Sequence, residues 1–164
     1  MPRTPIGMVE RIAAWSGGQG AGVRVNGQAR EILPGVDDDE VRFASAANVA
    51  AICSLIYEHW PLLPVLAEHL VDNEGEVLSH PLLSDVVRWL VENRNADATT
   101  CRSVFGWLER AAELGPDQVT GMIALSGVGM LPNPGEPGAE LRDLLGPTLR
   151  AFDPWRDTPG ASRG

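Results

Sequence analysis

Residues 81–131 read PLLSDVVRWLVENRNADATTCRSVFGWLERAAELGPDQVTGMIALSGVGML, and the fold class follows from their periodicity. In the first part Leu83, Val86, Val87, Leu90 and Val91 recur at steps of three and four, while Asp85, Arg88, Glu92 and Asn95 fall on the other side. In the middle Val104, Phe105, Leu108, Ala111 and Ala112 share a face, and Arg102, Glu109 and Glu113 gather on another. That is the period of an α-helix; a half-buried strand would alternate by two. Only polar or Gly-Pro punctuation parts the segments. Helices this short are marginal alone in water, so they are expected to run antiparallel and pack as hairpins.

Toward the C-terminus, Gly115-Pro116-Asp117 restarts the chain with a proline near the first helical position and an acid in the first turn. Gly127 and Gly129 weaken the end of that helix, and residues 133–138, NPGEPG, form a turn-rich loop. A last helix is expected from Ala139 to about Phe152, carrying Leu141, Leu144, Leu145 and Leu149, which Gly146-Pro147 must kink or split. Toward the N-terminus, Ser79-His80-Pro81 reads as a helix start. Before it, Leu62 to Val71 carries Leu63, Leu66 and Leu70, and residues 72–75 close it. Further upstream Val49, Ile52, Cys53, Ile56 and Trp60 make one stripe, ended by Pro61.

The expectation is an all-α domain over residues 43–155, either a compact bundle or a HEAT-like stack of about six helices. Its predicted core is Ile52, Ile56, Leu66, Leu83, Val87, Leu90, Val104, Leu108, Ile123, Leu144 and Leu149. Residues 156–164 are expected to be a disordered tail. Residues 1–42 differ from the rest. SGGQGAG at 16–22 is low-complexity, and in the GVRVNGQAREI that follows, Val23 and Val25 alternate with polar residues up to Asn26-Gly27, the signature of a small β-hairpin. Asp37 to Glu40 reads as an acidic, solvated helix start.

Composition narrows the chemistry. The 164 residues, 44% of them hydrophobic, suit one domain with one core. The 22 acids face 13 bases, every one an arginine, for a net charge of −9. Without lysine there is no P-loop of the usual kind and no Schiff-base nucleophile. An acidic surface repels phosphates, so nucleic acid is not the expected partner. Cys53 and Cys101 each sit in an apolar helical stretch and are expected to be reduced, buried thiols of a cytoplasmic protein. No signal pattern opens the chain and no apolar run reaches membrane-spanning length, so no membrane partner is expected.

The three histidines are the natural metal candidates. His59 and His69 each follow a glutamate, but adjacent helical residues point about 100° apart and do not chelate one ion. His80 lies four after Glu76 at a helix start, and neither H-E-x-x-H nor Glu-x-x-His is present. Ser126 lies in ALSGV, one glycine short of a nucleophile elbow and without a preceding strand. Gly18, Gly20 and Gly22 do not form a dinucleotide loop. No cofactor is therefore expected. Trp89 and Trp107 flank apolar stripes and are expected in the core.

The elements HPLLSDVVRWLVEN, VFGWLERAAELGPDQVTGMIALSGVGML and LRDLLGPTLRAF, between Trp60 and Trp155, resemble a family of small bacterial helical proteins known as a domain of unknown function. The Leu-Gly-Pro-x-Leu-Arg ending at Arg150 is the most specific of the three. Some members of that family are suspected immunity proteins against bacterial toxins, and the resemblance brings no catalytic residues. It implies a non-catalytic, protein-binding domain of the immunity type, whose partner would be a basic toxin domain. The contact candidates are Asp85, Glu92, Glu109, Glu113 and Asp117 on the acidic helix faces. The alternatives are a helical adaptor or scaffold module, or a metal-dependent enzyme using His59, His69 and His80.

Overall fold

The helical period of residues 81–131 is realised in the computed structural model, which describes residues 38–159, with side chains from Ser45 onward. Helix α1 spans Asp38–Glu58, a 3-10 turn Trp60–Leu62 leads into α2 (Leu63–Asp72), and α3 (Ser79–Asn93) and α4 (Ala98–Leu114) follow. Helix α5 (Asp117–Met122) runs on through a π turn, Ile123–Gly127, and a 3-10 turn, Val128–Met130. A longer 3-10 segment, Ala139–Leu144, precedes α6 (Pro147–Phe152). There is no strand among the described residues. The candidate hairpin around Asn26-Gly27 and residues 160–164 of the tail lie outside the described part.

The described part of the chain, residues 38–159, is an all-α bundle. In a helical solenoid each repeat touches only its neighbours in sequence. Here α1 packs on α5 as well as on α2, α3 and α4, which closes the helices around one core. Helix α3 is the central member, with α1, α2, α4 and the π turn all against it. Its Leu82, Leu83, Val86, Val87 and Leu90 are buried, as are Cys101, Val104, Phe105, Trp107, Leu108, Ala111 and Ala112 of α4. Each such Leu or Val contributes about 1.5–3 kcal/mol by leaving water. Of the predicted core, Leu66 and Leu144 are only partly buried and the remainder are buried. Trp107 is in the core and Trp89 packs against it, as the sequence implies.

Helix ends follow local chemistry. Helix α1 is described from Asp38, five residues before the expected domain boundary at residue 43. It stops at Glu58, because Pro61 cannot donate to the backbone four residues earlier. The chain there bends by 115°, and Trp60, expected on the α1 stripe, is turned out and 68% exposed. Helix α2 ends with the Gly75 N–H on the Leu70 carbonyl at 2.7 Å, Glu74 and Gly75 both taking positive φ. Helix α4 is capped by Asp97, whose carboxylate accepts the Thr100 hydroxyl at 2.6 Å and the Thr100 N–H at 3.0 Å. Gly146-Pro147 splits the last helical stretch, as expected, into the 3-10 segment and α6. No single helix among the described residues is long and apolar enough to cross a membrane.

One buried ion pair fastens the C-terminal part. Arg142, on the 3-10 segment, donates Nη1 to Asp153 Oδ1 at 2.6 Å and Nη2 to the carbonyls of Pro132 (2.7 Å) and Leu131 (3.3 Å). Both side chains of the pair are 5% exposed. The expected tail carries on in turns past this point, with the Thr158 N–H on the Trp155 carbonyl, as far as Pro159.

Leu108, 3% exposed, should cost about 2–5 kcal/mol when replaced by alanine, read as a lower urea midpoint at unchanged slope. Leu125→Ala, at a side chain 70% exposed, should stay within about 0.5 kcal/mol. The cap at Asp97 generates a pH effect. The Thr100 hydroxyl, then the Thr100 N–H, hold its carboxyl below the ordinary carboxylate range. The folded value is thus below the unfolded one, so the charged cap stabilises fully above the unfolded pKa. That contribution is lost as pH falls through the folded one. The stability difference between the wild type and Asp97→Asn should be flat above about pH 5 and shrink in more acidic solution.

Candidate functional site

The five acids singled out on the helix faces have different fates. Helix α4 runs alongside α6, and this places Glu109 at the start of α6. Its Oε1 accepts the Thr148 N–H at 2.6 Å and its Oε2 accepts the Leu149 N–H at 3.0 Å. Those are two of the N–H groups that the first turn of a helix leaves without an intrahelical partner. Glu109 is therefore the N-terminal cap of α6, supplied from another helix. The approach is so close that a Cβ on Gly146 would lie 2.5 Å from the Glu109 carboxyl carbon, which is why a glycine stands there. Glu109 and Glu113 share a helical row in sequence, but only Glu113 is left facing water.

Asp85 is half-buried and shared: Oδ1 accepts Arg88 Nη1 at 3.1 Å, and Oδ2 lies 3.4 Å from His69 Nδ1. Glu92, Glu113 and Asp117 are exposed, and among the described residues none of them has an ion pair or a side-chain hydrogen bond. Glu113 stands in the last turn of α4 and Asp117 opens α5, so the two flank a tight corner. Between them stand exposed Leu114 and Pro116. The structure thus brings Glu113 and Asp117 to one corner, and leaves Glu92 on α3.

Each histidine is used to join elements. His59 lies between α1 and the 3-10 turn, with Nδ1 2.7 Å from the Leu55 carbonyl and Nε2 2.9 Å from Ser103 Oγ on α4. Because a carbonyl can only accept, Nδ1 carries the proton and Nε2 accepts the Ser103 hydroxyl. His69 is buried in α2; its Nε2 accepts the Leu78 N–H at 3.0 Å, just before α3, which leaves Nδ1 as the donor toward Asp85. His80 is exposed at the start of α3, with Nδ1 2.6 Å from Ser126 Oγ in the π turn. The three rings sit at three different junctions. Among the described residues no group of three or more His, Cys, Asp or Glu is placed to hold a metal ion.

The His80–Ser126 contact was not legible in the sequence, since the residues are 46 positions apart and no motif joins them. It has the distance of a base on a serine nucleophile. Ser126 is buried, and no carboxylate among the described residues bonds His80. The thiols are no better placed as nucleophiles. Cys53 and Cys101 are free, and burial pushes both up, the charge of Asp97 adding to the effect at Cys101. Both are protonated near neutrality, so neither supplies a thiolate. Glu140 is held below the ordinary carboxylate range by its own backbone N–H and by Arg94, whose Nε donates to it at 2.5 Å, and so serves as a strap from α3 to the 3-10 segment.

Comparisons with models of protein families, with curated proteins and with solved structures find no match.

The division between Glu109 and Glu113 is open to measurement. Glu109→Ala leaves two helix-start N–H groups without their acceptor and should cost about 0.5–2 kcal/mol in denaturant unfolding. Glu113→Ala, four residues on, should change stability by no more than about 0.5 kcal/mol.

Proposed function

We propose that this protein is a non-catalytic binding domain for a basic protein, acting in the immunity manner by covering its partner's cationic surface. The observation that carries the reading is the α4–α5 corner. Glu113 and Asp117 stand there around the exposed Leu114, with no cation paired to either among the described residues. By contrast Glu109, Asp85, Asp97, Glu140 and Asp153 are all engaged inside the molecule. Glu92 adds a third carboxylate of the same kind from α3.

The surrounding charge supports the same reading. Of the 22 acids, Glu10, Glu31 and Asp37 lie outside residues 38–159; of the 13 arginines, Arg3, Arg11, Arg24, Arg30 and Arg163 do. That leaves 19 acids and 8 arginines, a net −11 on the described part, and four of those arginines are tied in ion pairs. A surface so one-sided draws a cationic partner by long-range attraction and speeds association, an effect that salt screens. In the cytoplasm such a domain would keep its thiols reduced, Cys101 buried and Cys53 only partly so, against the expectation that both would be buried.

The test is capture of partners from the native host at low and at moderate salt, followed by co-expression with whatever is captured. The double variant Glu113→Arg, Asp117→Arg should fold normally, lower the association rate at least tenfold at low salt, and flatten its salt dependence. Unchanged binding by that variant, or failure to capture any basic protein, would sink the reading.

A further inference from the structure

We draw no further inference here: the strongest candidate, the apolar corner where the end of α1 meets the outer face of α2, with Tyr57, Trp60 and Val71 exposed on it, carries none because nothing in the structure shows what covers it.

Discussion

Burial of the apolar stripe of α3 governs the architecture. Leu82, Leu83, Val86, Val87 and Leu90 point into a space that α1, α2, α4 and the π turn after α5 close from different sides. Alone in water each of these helices would expose its apolar face, and helical stability in proteins comes mostly from burying that face. Packing around one central helix removes most of that apolar surface from water at once, while Trp60, Leu63 and Val71 stay exposed. It also explains why the arrangement is a closed bundle: α1 reaches α5 across the core, which a stack of hairpins would not allow.

The C-terminal part is held by a different kind of force. From Pro132 onward the elements are short, a 3-10 segment and a six-residue α6, and apolar burial there is supplemented by polar contacts. Arg142 ties Asp153 and the carbonyls of Leu131 and Pro132, and Glu109 caps α6 from α4. Leaving either member of a buried ion pair alone costs about 3–5 kcal/mol, so the Arg142–Asp153 contact specifies how the chain end docks even if its net contribution to stability is small. The run LRDLLGPTLRAF thus has a structural meaning in its own right: Arg142 for the ion pair, Gly146 for the close approach of Glu109, and Leu149 for the core.

The polar residues divide along the same line. Histidines and acids that could have been read as chemistry are mostly joints: His59 between α1 and α4, His69 between α2 and the start of α3, Asp97 on the first turn of α4. What the bundle leaves over is a set of exposed carboxylates and one apolar corner with an acidic rim. Both lie on the surface of the bundle.

Fold class and most of the core were legible in the residue order, because helical periodicity is a local property and residues such as Val87, Val104 and Leu108 announce their burial by their spacing. The break at Gly146-Pro147 and the turn at Gly115-Pro116 were legible too, since proline and glycine act on the backbone where they stand. Side-chain partners were another matter. Nothing near Glu109 distinguishes it from Glu113, yet one caps a helix that begins 38 residues later and the other faces water. Trp60 lies on the α1 stripe only if the helix continues, and the bend at Pro61 puts it outside. Arg142 with Asp153 and His80 with Ser126 likewise meet only after the helices have packed. Spacing along the chain sets which face of a helix a residue occupies; what that face meets depends on how the helices come together, because those contacts join positions tens of residues apart.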